Sequence, residues 1–274
     1  MWIIKVMVFL GCLWFVSDKI LDTDFSIFNL RMTPTQVLTI LGVFLLMPIN
    51  WGLEVYRWKL ATPHENLTVT ESMTAVLGGL AMNWVLPLTS GDLATRLSNV
   101  NYHVKTAWSI ALVRGVSIFL TLVFGSLGLL YFFNYSLSWF WVIVGVSLVI
   151  VSIIFWKYQF QNQSDLVRVI SVSVIRFLVF SFQFGLLIWA FNLELLIIQI
   201  AAGVGWVFLF RSVLPSLFGN FGVREASALV FFDALVPNSE MILIPTTLIW
   251  LVNTVIPSLI GAGLIFNLKV KLAQ

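Results

Sequence analysis

Residues 214–230 read LPSLFGNFGVREASALV, with apolar sequence on either side. Two glycines, an asparagine and an adjacent arginine and glutamate are costly there, because lipid offers no water to satisfy a broken backbone or a charge. The glycine-rich turn Gly219-Asn220-Phe221-Gly222 opens a helix-forming run, VREASALVFF. Such a turn presents unpaired N–H groups and the positive end of the helix dipole, which suits an anion. Arg224 adds a permanent charge whose planar fork fits phosphate, and Glu225 is placed to pair with an arginine of another element. The plainer alternative is a helix start whose Arg and Glu satisfy neighbouring helices.

Composition makes lipid the relevant solvent. Of 274 residues, 60% are hydrophobic and 10% charged, against roughly 25% charged in soluble domains. The net charge is +3, but the basic residues are scattered and form no run that would engage nucleic acid. The mild excess fits the positive-inside bias of membrane proteins. A single cysteine, Cys12, excludes an intramolecular disulfide. The opening MWIIKVMVFLGCLWFV lacks a basic n-region and a small-residue cleavage site, so it reads as a retained helix.

A span needs about 20 mostly apolar residues. The segments near 2–17, 35–56, 106–133, 139–156, 169–192 and 241–267 meet or approach this. Two further stretches, near 72–88 and 196–218, stop at a proline, pass small residues and resume as a short helix with an arginine. Those read as re-entrant hairpins, which a membrane tolerates where protein or a water-filled cavity covers the broken backbone. With the N-terminus cytoplasmic, Lys5, Arg57, Lys59, Lys105, Lys157, Lys269 and Lys271 fall inside, and the loops 134–138 and 233–240 hold no Lys or Arg. The loop at 17–34 is mixed, with Lys19 and Arg31 against three aspartates. Both termini are then cytoplasmic. The fold expected is an all-α polytopic membrane protein, about six transmembrane helices plus two re-entrant helical hairpins. Within one membrane domain, 1–274, residues 138–274 repeat the order of 1–137 upside down, an inverted-topology repeat of the transporter kind.

The companion of the opening stretch is Pro87-Leu88-Thr89-Ser90-Gly91-Asp92-Leu93-Ala94-Thr95-Arg96. Ser90 or Asp92 can cap its helix, and Asp92 and Arg96 stand at i,i+4, where a salt bridge is ordinary. Two broken helices arriving from opposite faces, each with an acid and an arginine, resemble a site. Arg114, Arg176 and Arg211 also lie in apolar segments, where an arginine is by default functional or paired inside the bundle. The nearby acids are Glu54, Glu71, Asp92, Glu194 and Glu225. An excess of embedded arginine over acid implies a positive interior that suits an anionic passenger. Tyr56-Arg57-Trp58-Lys59 has a plain reading as an interfacial anchor of aromatics and snorkelling cations.

YRWK at 56–59, LPLTSGDLATR at 86–96, LVRGVSI at 112–118 and GNFGVREAS at 219–227 occur in an order that resembles the lysylphosphatidylglycerol synthase transmembrane, or flippase-like, family. That family includes the N-terminal membrane domain of the multiple peptide resistance factor. The resemblance implies movement of phospholipids or lipid-linked head groups between leaflets of a bacterial cytoplasmic membrane. It carries Arg57, Asp92, Arg96, Arg114, Gly222, Arg224 and Glu225 over as substrate-binding candidates. The best-known members continue into an aminoacyl-transferase domain, whereas this sequence stops at NLKVKLAQ, so a separate lipid synthase is the partner expected.

The leading function is therefore a lipid flippase, with the phosphate held by Arg224, Arg96 and backbone N–H groups. The substrate-binding set comprises Arg57, Asp92, Arg96, Arg114, Arg176, Arg211, Gly222, Arg224 and Glu225, with no metal ligand and no cofactor. No G-x-x-x-x-G-K-[ST] phosphate loop occurs. A polyprenyl-phosphate or lipid-linked sugar is an alternative passenger. A non-transporting partner subunit of a lipid-modifying enzyme is another reading, and it requires the embedded arginines to be saturated by acids. An enzyme is disfavoured: His64 and His103, the two histidines, lack metal-ligand spacing, and no G-x-S-x-G elbow is present.

Overall fold

The computed structural model describes residues 2–21, 32–86, 90–98, 100–101, 103–134, 141–142, 144–146, 163–191, 193, 195–214, 220–237 and 239–272. Its elements are α1 (Trp2–Leu21), α2 (Pro34–Ala61), α3 (Val69–Met82), α4 (Ser90–Leu97), α5 (His103–Phe133), α6 (Gln163–Ala190), α7 (Ile197–Val213), α8 (Val223–Phe232), α9 (Leu243–Trp250) and α10 (Ile256–Leu272). A π turn, Leu251–Val255, joins the last two. Four stretches, Pro34–Ala61, Val104–Phe133, Leu166–Ala190 and Ser239–Phe266, are long and apolar enough to cross a membrane. By that measure the chain is an integral membrane protein. Most of the expected span at 139–156 lies outside the described residues, as do the proline breaks at 87–89 and 215–219.

Local chemistry sets where these helices begin. Thr33 and Gln36 exchange side-chain and backbone bonds at the start of α2 (2.9 and 3.3 Å), and Thr68 and Glu71 do the same for α3 (2.8 and 3.2 Å), each a capping box. Hydrogen bonds from the Thr68 backbone N–H and hydroxyl hold the exposed Glu71 carboxyl below its ordinary range. Pro48 lies inside α2, where it removes one backbone donor from the helix. One turn before it, Gln183 of α6 donates to the Val43 carbonyl at 2.9 Å.

The elements pack in a crossed pattern. α3 lies against α4, and α7 against α8. α3 then packs on α10, and α7 on α5. Both contacts bring backbones together through glycine. A Cβ on Gly261 of α10 would collide with the Leu77 carbonyl of α3, and one on Gly205 of α7 would collide with the Phe124 carbonyl of α5. Close approach of this kind is how helices associate where no hydrophobic force separates them from lipid. Between the two pairs, α2 and α6 run antiparallel, with Val43 beside Gln183, Glu54 beside Arg176 and Arg57 beside Ser173.

The main core gathers Phe184, Leu187, Trp206, Phe208, Phe231, Phe232 and Ile249 from α6 to α9. α1 seats on α8 in parallel: Phe9 and Cys12 lie beside Gly222, and Lys19 pairs with Asp233 at 3.0 Å.

Candidate functional site

Glu54 organises the charges. It sits in α2 one turn before Arg57, at i,i+3, and its side chain is 5% exposed. Its Oε2 meets Arg57 Nη2 at 2.5 Å and Arg176 Nε at 3.4 Å, while Oε1 meets Arg96 Nη2 at 2.9 Å. Arg96 also reaches Asp92 Oδ1 through Nε at 2.6 Å, and Asp92 Oδ2 receives Arg114 Nη2 at 3.1 Å. Arg57 donates further to Ser117 and Ser173 at 2.8 and 3.2 Å. Tryptophans floor the network, with Arg96 4.7 Å from the Trp58 ring and Arg176 5.4 Å from the Trp51 ring. Burial of charge without loss of stability requires this density of partners.

Among the described residues the ion pairs of this network join four guanidinium groups to two carboxylates. Arg57 and Arg96 are buried at its centre. Arg114 and Arg176 stand at its edge, their side chains 39% and 25% exposed. Position separates the two roles: the inner arginines hold helices together, and the outer ones present charge.

The second helix pair differs. Arg211, near the end of α7, lies over the rings of Phe208 and Phe180 at 4.8 and 5.2 Å. Arg224 is buried in α8 and reaches the Thr246 carbonyl at 3.4 Å. Glu225 Oε2 accepts the Gly222 N–H at 2.7 Å. Gly222 has φ +85° and ψ −52°, a conformation that favours glycine.

Several expectations change here. Arg57 and Trp58 are buried at 4% and 0% exposure. They are not the snorkelling anchor that YRWK implies, because α2 continues to Ala61 and turns that face into the bundle. Glu225 makes no pair with an arginine of another element among the described residues; its carboxylate caps its own helix. That carboxylate takes up the Gly222 N–H, one of the donors expected for an anion; Gly219 of the same turn lies outside the described residues. α4 is capped by a residue from across the break, Asn83, whose Oδ1 accepts the Asp92 N–H at 3.0 Å. The i,i+4 pair of Asp92 and Arg96 forms as expected.

The structure thus joins Arg57, Asp92, Arg96, Arg114 and Arg176 in one cluster and keeps Arg211, Gly222, Arg224 and Glu225 on the other helix pair. The two pairs meet at Trp250, whose ring lies 6.0 Å from Trp84 and 4.9 Å from Phe221. Sequence reasoning did not place Glu54 in the site. Its signal was an acid three residues before an arginine inside an apolar segment, which is the spacing of a helical ion pair. Among the described residues no cluster of His, Cys, Asp and Glu could hold a metal ion.

No family model and no curated protein matches the chain.

Proposed function

We propose that the protein is a lipid translocase that moves a phosphate-bearing lipid between membrane leaflets. The observation that supports it is the excess of guanidinium over carboxylate in the Glu54 network, concentrated at the partly exposed Arg114 and Arg176. A phosphate docking at these partly exposed guanidinium groups adds negative charge where cations outnumber acids among the described residues, and the arginine fork suits it. Arg211, over the rings of Phe208 and Phe180, is a further cation on the second helix pair. Arg57, Arg96 and Glu54 form the frame, and Gly222 and Glu225 shape the start of α8. The resemblance of YRWK, LPLTSGDLATR, LVRGVSI and GNFGVREAS to the flippase-like family agrees with this passenger.

The reading extends to the fold. α3–α4 and α7–α8 are the two re-entrant hairpins of an inverted repeat, each packed on the last span of the other half. Rocking of one half against the other would switch access from leaflet to leaflet. The distribution of Lys and Arg supports cytoplasmic termini in a bacterial cytoplasmic membrane. A membrane potential supplies about 2.3 kcal/mol per charge per 100 mV, enough to bias an anionic head group. A second reading has its own observation: the buried Arg57 and Arg96 both pair with carboxylates, Arg57 with Glu54 and Arg96 with Glu54 and Asp92, as a non-transporting subunit of a lipid-modifying enzyme would have them.

Leaflet exchange in liposomes separates the two. Purified protein is reconstituted with head-group-labelled lipids and a quencher confined to the outer leaflet. Wild-type protein is expected to expose inner-leaflet label, and Arg114→Ala and Arg176→Ala to slow exchange at least about tenfold, the loss of one hydrogen bond to a charged group. If no lipid crosses faster than in protein-free vesicles, with or without an imposed potential, the translocase reading falls and the partner-subunit reading takes its place.

A further inference from the structure

The last apolar stretch is split by its π turn, Leu251–Val255, where the helix holds one residue more than α geometry allows. Before the turn, α9 is gripped by the second helix pair. Arg224 reaches the Thr246 carbonyl at 3.4 Å, Phe221 packs on Trp250 at 4.9 Å, and Leu243 and Ile249 share a core with Phe231 and Phe232. After the turn, α10 is gripped by the first pair. Gly261 lies flush on the Leu77 carbonyl, Ile265 meets Gly78, and Ser258 accepts the Trp84 indole N–H at 3.1 Å. The turn marks the boundary between these two sets of contacts, just after Trp250, whose ring lies near both Phe221 and Trp84.

A chain of buried amides ties that boundary to the central helices. Asn50 Nδ2 donates to Asn253 Oδ1 at 2.8 Å, and Asn253 Nδ2 donates to Gln183 Oε1 at 3.3 Å. Gln183 Nε2 ends on the Val43 carbonyl at 2.9 Å. All three residues are at most 3% exposed. The carbonyl of Val43 can only accept, so Gln183 must turn its NH2 group toward it, and this fixes the direction of every bond in the chain. The end left over is Asn50 Oδ1, which is buried without a hydrogen-bond partner. A buried acceptor left open calls for an explanation in the native state, and a second arrangement of the chain supplies one.

We propose that the π turn is the joint between the two helix-pair bodies, and that the Asn50–Asn253–Gln183 chain is its latch. Moving the extra residue along the helix rotates the residues it passes by about 100°, which takes Asn253 off the face that meets Asn50 and frees the two ends of the span to follow their own partners. The proposal rests on the reading that the two halves rock, and its test does not depend on transport.

Spin labels at Met73 of α3 and Val230 of α8, both exposed, report the separation of the bodies in a Cys12→Ser background in lipid nanodiscs. Asn253→Leu is expected to shift the ratio of distance populations about tenfold or more. Unchanged distances in a folded variant overturn the joint. A second measurement needs no substitution: amides 251–256 of the wild-type chain are expected to exchange with deuterium faster than those of α9 and α10. Equal protection along the span also overturns it. Leaflet exchange run in parallel keeps the two readings apart. Shifted distances without lipid movement leave the joint standing and sink the translocase. Normal lipid movement in Asn253→Leu with unshifted distances does the reverse.

Discussion

On the first helix pair, Asp92 and Arg96 reach outward to Glu54 and Arg114 on other helices, whereas on the second Glu225 folds back onto the N-terminus of its own helix. An acid one residue from an arginine and an acid four residues from one look alike in sequence. Their consequences differ because α4 lies beside two charged spans, while the start of α8 lies beside Phe9 and Cys12. The acid of the first pair is shared among helices and fastens them. That of the second serves local geometry and acts on Arg224 of its own helix rather than on an arginine of a neighbour.

The sharpest way to break this contrast is to remove each acid. Glu54→Ala is expected to destabilise the detergent-solubilised protein by about 3–5 kcal/mol, since it strands buried arginines. Glu225→Ala is expected to cost about 1–2 kcal/mol, the value of a charge-assisted helix cap. Equal losses in thermal unfolding would mean that Glu225 also fastens neighbouring helices, and the contrast would fail. Gly222→Ala follows, at about 1–3 kcal/mol for holding a side chain at positive φ. Its Cβ would meet Cys12 at an ordinary 3.5 Å, so a loss here measures backbone strain rather than crowding.

The smallest effect concerns the far end of α8. Hydrogen bonds from Ser239 and then Lys19 hold the Asp233 carboxyl below its ordinary range. Its contribution is therefore full above the usual carboxylate pKa of about 3.9 and fades as pH falls through the lowered native value. Asp233→Asn should loosen α1 by less than about 1 kcal/mol at neutral pH, as expected of a partly exposed pair, and should flatten the acid limb of a pH–stability profile. A variant with an unchanged acid limb would show that Asp233 does not seat α1.

Much of the helical layout is legible from apolar length alone: α2, α5, α6 and the final span lie where runs of hydrophobic residues put them. The Asp92–Arg96 pair follows from helical spacing. The rest depends on partners far along the chain. Arg96 finds Glu54 across 42 residues, and Asn50 finds Asn253 across 203, distances over which spacing has no meaning. Arg57 and Trp58 were read as an anchor because position near a span's end is the only cue sequence provides. Whether that end faces lipid or neighbouring helices is decided by packing. Asn83 was missed as a cap because it stands across a break from the helix it serves, and the π turn at LVNTV has no residue signature at all.

The pairing of Lys19 with Asp233 spans 214 residues, and it has a consequence for how the molecule is made. At about 5–20 residues per second, α1 leaves the ribosome roughly ten to forty seconds before the helix it will rest on exists. The contact that seats α1 thus closes only once α8 has been made, long after α1 itself.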